Sequence, residues 1–172
     1  MGDASTAAAL RAELLSSLDR WRSALPTTLA GERGSTAWFG VGDRAIAITN
    51  SLIRVAVETL WPEEPLPPRP TLGHRIDIIQ RLGGKSLTSC TQGSIRLVSK
   101  ADLAVLQRYS RLRASFAHQE DQGLRPDSLG RPTAARVVEI LDEAEAITRS
   151  TLVDEAICRQ EGRAGSRGTG PE

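Results

Sequence analysis

VGDRAIAITNSLIRVAVETLW, residues Val41–Trp61, is the stretch on which the fold class turns. Its apolar residues, among them Ala45, Ile46, Ile48, Leu52, Ile53, Ala56, Val57 and Leu60, occupy several faces at once, and many are β-branched. A buried strand and a buried helix both fit that pattern. Length separates them, because roughly twenty residues without a turn signal far exceed the usual strand of ~5–6. The stretch is read as the most buried helix of an all-α chain.

Toward the N-terminus, Leu10, Leu14, Leu18 and Trp21 recur every three or four positions within Ala4–Leu25, the spacing of an amphipathic helix that Pro26 is expected to end. Thr27–Gly40 gathers Thr, Ser and Gly around Trp38 and Phe39 and reads as a loop that pins two aromatics onto the bundle. In the other direction, five prolines between Pro62 and Pro70 make a stiff, polyproline-like connection. Thr71 then caps a short helix through Leu82, which Gly83 and Gly84 stop. His74, in the first turn of that helix, is read as a surface or packing residue. Lys85–Val98 admits three readings: a loop, a short extended piece, or the beginning of the next helix.

Ser99-Lys100-Ala101-Asp102 has the Ser-x-x-acid form of a helix cap, so a helix opens there. Val105, Leu106, Tyr109, Leu112, Phe116 and Ala117 form its apolar stripe, and at 100° per residue Arg113 falls inside that stripe. Gln119–Gly130 is polar and reads as a loop. Pro132 opens a last helix at its first position, with Val137, Ile140, Leu141, Ala144, Ile147 and Leu152 on its core face. From Gly162 onward Gly, Ser and Arg dominate. The expected architecture is one domain over residues 1–160, an antiparallel bundle of about five helices, with a disordered tail over 161–172.

Composition removes several function classes. A formal net charge of +1 provides no overall basic field, and 3% aromatic residues disfavour a stacking platform for single strands. The excess of 20 arginines over two lysines is read as codon bias before functional selection. Cys90 and Cys158 stand in neither CxxC nor CxxxC spacing, which points to reduced thiols and to neither zinc nor a disulfide framework. No apolar run reaches ~18 residues and the N-terminus lacks a signal-peptide pattern, so a soluble, cytoplasmic protein without membrane contact is expected. The chain has no glycine-rich phosphate loop, no histidine cluster for metal and no Gly-x-Ser-x-Gly elbow, so neither cofactor nor metal is expected.

Chemistry concentrates in Leu112-Arg113-Ala114-Ser115-Phe116-Ala117-His118. Histidine titrates near neutral pH and can take or give a proton, and arginine presents a planar fork to phosphate oxygens. A charged residue on an apolar stripe needs a partner or a task, and for Arg113 the structural alternative is an ion pair that holds the bundle in register. A second Arg-x4-His, Arg69 to His74, sits beside prolines where no continuous helix carries both residues.

The wording Leu-Arg-x-x-Phe-Ala-His, placed late in the fourth helix before a polar loop and one more helix, resembles the HEPN superfamily over about Val41 to Leu152, most closely at the motif. The resemblance implies a metal-independent endoribonuclease of toxin or defence type with Arg113 and His118 as its catalytic residues. In that chemistry the histidine acts on the 2′-hydroxyl as it attacks the adjacent phosphate, and the arginine steadies the phosphate. RNA, a homodimeric partner copy and a cognate antitoxin or nucleotidyltransferase are the partners implied. Two positions depart from the family pattern. Ala114 follows the arginine where active members often carry Asn, Asp or His, and Glu120 stands where the toxin branch silenced by AMP transfer carries tyrosine. The alternative is a non-catalytic interaction or regulatory protein of the same fold, resembling the mannitol operon repressor group or a nucleotidyltransferase partner. Because residues five apart on a helix point 140° away from each other, a homodimer with its fourth helices face to face is expected to complete the site.

Overall fold

Helix α2 (Thr36–Leu60) is the axis of the computed structural model, and the other elements are arranged around it. The structure describes residues 6–29, 36–90, 93–121 and 134–166, with 25–29, 36–39, 115, 117–121, 134–135 and 164–166 described through their backbone alone. Around α2 pack α1 (Ala7–Leu29), α3 (Leu72–Leu82), α5 (Ala134–Thr148) and α6 (Thr151–Ser166), while α4 (Lys100–Asp121) lies against α5 and α3. The side chains of α2 explain its place. Ala45, Leu52, Ile53 and Ala56 are wholly buried, and Ile48, Val55, Val57 and Leu60 nearly so, which spreads apolar surface over several neighbours. Each fully buried Leu, Ile or Val contributes about 1.5–3 kcal/mol, enough to override the modest helix propensity of the β-branched residues. The all-α reading of Val41–Trp61 holds.

Two short strands, β1 (Ser86–Ser89) and β2 (Gly93–Arg96), pair antiparallel between α3 and α4, with Leu87 opposite Ile95 and Ser89 opposite Gly93. Of the readings open for Lys85–Val98, the extended one is therefore right. Gly93 has φ +73°, the left-handed conformation that a tight hairpin reversal demands and that glycine adopts without penalty.

Other boundaries differ from expectation. Helix α1 runs to Leu29, past Pro26. Proline removes the one N–H that would bond the Arg22 carbonyl, but its fixed φ near −65° is itself helical, so the final turn persists with one bond fewer. Helix α2 begins at Thr36, inside the stretch expected to be a loop; the side chains of Trp38 and Phe39 lie outside the described residues. The expected single last helix is two, which makes six helices among the described residues. Between them the Thr148 hydroxyl donates to the Ala144 carbonyl at 2.6 Å and the Ser150 hydroxyl to that of Ile147 at 2.6 Å, drawing backbone acceptors to side chains, after which Val153 and Asp154 start a new helix on the Ser150 carbonyl. Helix α6 continues to Ser166, into the stretch expected as tail, and the expected helix start at Pro132 lies outside the described residues.

Helix α3 matches expectation residue for residue. Thr71 is its N-cap and accepts from the His74 N–H, while His74 Nδ1 accepts from the Thr71 N–H at 3.0 Å. The histidine thus occupies the place that Glu or Gln takes in a capping box. At the other end Gly83 is helical in conformation (φ −67°), so its role is space and not a left-handed turn: a Cβ there would stand 2.7 Å from Val98 Cγ2. That approach, sealed by the Val98 N–H on the Gly83 carbonyl at 3.0 Å, returns the chain from the hairpin to the foot of α3.

Ion pairs tie α1 to the last two helices. Arg22 bonds Glu145 and, at 2.8 Å, Asp142, and Arg11 bonds Asp154. The Arg22 hydrogen bond, against the opposing effect of burial and with help from Arg149, holds the Glu145 carboxyl below its ordinary value of 4.5. Glu155 is 3% exposed; burial disfavours its charge, but bonds from Ser89, Arg159 and Cys90 outweigh that and also lower it. A carboxyl depressed in the folded state stabilises the fold above its unfolded value and loses that contribution as pH falls through the folded one. Thermal melts are accordingly expected to show a flat Tm above pH 5 and a fall from pH 4.5 downward, and Arg22→Ala should make that fall shallower. An unchanged slope in the variant would refute the assignment to Glu145.

Candidate functional site on helix α4

The Ser99 cap sets where α4 begins. Its hydroxyl accepts from the Asp102 N–H at 3.1 Å, and Asp102 Oδ2 accepts in return from the Ser99 N–H at 2.7 Å. Three buried side chains then fix the rotation of the helix: Leu106, Tyr109 and Phe116. Phe116 lies over Gly42 of α2 so closely that a Cβ at that glycine would be 2.7 Å from Cζ of the ring. The Tyr109 hydroxyl lies 2.8 Å from Asn50 Oδ1 and 3.1 Å from the Ile46 carbonyl oxygen, sharing its proton between two acceptors on α2. Burial pushes the Tyr109 phenol well above its ordinary value, against the charge of Arg113 and a hydrogen bond with Thr49. The phenol stays protonated at neutral pH and serves as an anchor, not as an acid or base.

Arg113 lies one turn beyond Tyr109, on the core-facing stripe where helical periodicity puts it, and is half-buried. Among the described residues no carboxylate stands within ion-pair distance of it. His118 belongs to the same continuous helix, which runs on to Asp121; its side chain lies outside the described residues. Positions 113 and 118 therefore diverge by 140° about the α4 axis, and helical geometry alone does not bring the pair together within one chain. Arg69 and His74, the other Arg-x4-His, are separated by the start of α3, and His74 is committed to the cap.

Sequence reasoning passed over a second basic group. An open groove of about 570 Å³ runs between α4 and α5, lined by Arg108, Arg111, Leu112, Arg136, Glu139 and Glu143. Arg108 Nε donates to Glu143 Oε1 at 2.6 Å, and Arg136 pairs with Glu139 at 3.3 Å. Arg111 is exposed and has no ion pair among the described residues. Positions 111 and 118 are seven apart and lie within 20° of each other about the helix, so Arg111, not Arg113, is the arginine on the face of position 118. The i, i+7 spacing was the available signal; attention to the Arg-x4-His pattern hid it.

Among the described residues no three His, Cys, Asp or Glu side chains assemble in a way that could hold a metal ion, and no helix is long and apolar enough to cross a membrane. Comparison with models of known protein families, with curated proteins and with solved structures finds no match to this chain.

Proposed function

We propose that this chain is a HEPN-like, metal-independent endoribonuclease of toxin or defence type whose site is completed by a second copy. The observation that carries the reading is Arg113: a cation on the core-facing stripe of a continuous helix, with no carboxylate partner among the described residues to account for it as a register-holding ion pair. In the proposed reaction His118 takes the proton of an RNA 2′-hydroxyl, the O2′–P bond forms and the P–O5′ bond breaks, and the departing 5′ oxygen takes a proton from solvent water while His118 later returns its own to solvent. Arg113 offsets the charge that develops on the phosphate oxygens. Arg111, on the face of position 118, adds a contact to the neighbouring phosphate.

Half-buried Leu103, Ser110 and Ala114 form a line along α4 between the flank of Arg113 and the flank of position 118. The small side chains of Ser110 and Ala114 let two helices approach closely there, and a two-fold pairing through that line sets both flanks of each copy beside one cleft. Ala114 also favours the second reading, a non-catalytic interaction or regulatory protein, because it leaves the arginine without a polar neighbour at the next position. Incubation with structured and unstructured RNAs in the presence of EDTA separates the two. Cleavage to 2′,3′-cyclic phosphate and 5′-hydroxyl ends, by a species of twice the 18.5 kDa chain mass in light scattering, is expected. A monomer that leaves every RNA intact would put the interaction protein, partnered by an antitoxin or nucleotidyltransferase, in its place.

A further inference from the structure

The fold brings together two cysteines that are far apart in the chain. Cys90 closes β1 at the tip of the hairpin and is exposed, and Cys158 is half-exposed on α6. The link between them is Glu155. Its Oε1 accepts from the Cys90 backbone N–H at 3.0 Å, from the Cys90 thiol at 3.3 Å and from Arg159 Nε at 3.1 Å, and its Oε2 accepts from the Ser89 hydroxyl at 2.8 Å. Arg159 Nη2 reaches back to the Thr88 carbonyl at 3.0 Å, so the end of β1 is held to α6 by two side chains at once. Cys158 is three residues from Glu155 and shares its helix face, so it stands beside the carboxylate that holds Cys90.

We infer that Cys90 and Cys158 are an oxidative modification site, a dithiol that a small disulfide such as oxidised glutathione converts into an intramolecular disulfide stapling the β1–β2 hairpin to α6. Its thiol donating toward Cys158, burial, and the bond and charge of Glu155 push Cys90 up to about 11, so Cys90 is protonated at neutral pH and oxidation begins at Cys158. The Cys158 thiolate attacks one sulfur of oxidised glutathione, forming a mixed disulfide and releasing glutathione, which takes a proton. Cys90 then gives up its proton to solvent and attacks Cys158 Sγ, and the second glutathione leaves. Two thiols are oxidised by two electrons, and one oxidised glutathione is reduced to two glutathiones. Glu155 makes closure local, since it holds Cys90 against α6 before any bond forms. The loop so closed contains β2, α4 and α5, and thus the whole of the proposed RNA-binding helix.

The test uses the full chain, reduced, desalted and treated with excess oxidised glutathione. Expected is a monomeric product lighter by about 2 Da, with both thiols lost to maleimide and with Tm raised by about 5–10 °C, all reversed by dithiothreitol. Cys90→Ser should stop at the glutathione adduct with Tm unchanged, as should Cys90→Ala if the serine variant folds poorly. Persistent adducts on wild-type chain, disulfide-linked dimers, or two thiols still open to maleimide after treatment would each overturn the inference. None of these readouts depends on RNA cleavage.

Discussion

His118→Ala is expected to lower EDTA-resistant RNA cleavage by about 10²–10⁴-fold, the usual worth of a positioned general acid or base. Arg113→Ala should cost a similar order through lost transition-state charge stabilisation, and Arg113→Lys should restore part of it, because an ammonium supplies charge without the two-pronged fork. The two variants are distinguishable by what else they change. Position 113 faces the core stripe next to Tyr109, so Arg113→Ala should also move Tm by a measurable amount, whereas His118→Ala leaves the buried contacts of α4 with α2 in place. Arg111→Ala should raise KM and leave kcat nearly intact, as expected of a residue that only holds a flanking phosphate. A His118→Ala protein that cleaves as fast as wild type would refute the catalytic assignment outright.

The largest stability effect is expected at Tyr109. It is fully buried, the bulkiest of the wholly enclosed side chains among the described residues, and its hydroxyl joins α4 to two acceptors on α2. Tyr109→Ala removes an aromatic ring from a closed site and should cost about 3–5 kcal/mol. Tyr109→Phe keeps the ring but leaves Asn50 Oδ1 and the Ile46 carbonyl to find other donors, for about 1–2 kcal/mol. In a domain of this size each kcal/mol corresponds to roughly 2–4 °C, so both should be visible by differential scanning calorimetry. If Tyr109→Phe melted with the wild type, the hydroxyl bridge would have no part in holding α4 in place.

Helix existence was legible wherever a period ran long enough or a cap was spelled out, as at Leu10–Leu14–Leu18, at Thr71 and at Ser99. What was hidden depended on partners distant in sequence. The hairpin strands are four residues each with few apolar side chains, too short to show a period, and they are held by Glu155 and Arg159 from another element. The α5–α6 break did have a local cause, the Thr148-Arg149-Ser150-Thr151 run, but the apolar positions on either side continue so regularly that periodicity spoke for one helix. At the candidate site, Arg113's place on the stripe followed from spacing alone. The pairing of Cys90 with Cys158 did not, since nothing in their spacing shows that a carboxylate from α6 draws the hairpin tip onto it.

Gln160 makes two bonds, accepting from the Ala7 N–H at 2.9 Å and donating to the Thr59 hydroxyl at 3.0 Å. The beginning of the first helix and the latter part of the last one therefore meet on one edge of the bundle, against the end of α2. For anyone rewiring the chain, this is a permutable architecture: the ends of the described chain can be joined by a short linker and new ends opened in a surface connection such as Pro62–Pro70, with the packing of α2 left as it is. Such a rearranged chain would begin with α3, which packs on α4, so a second copy could be fused there in a chosen orientation and the pairing of the two α4 helices set by linker length.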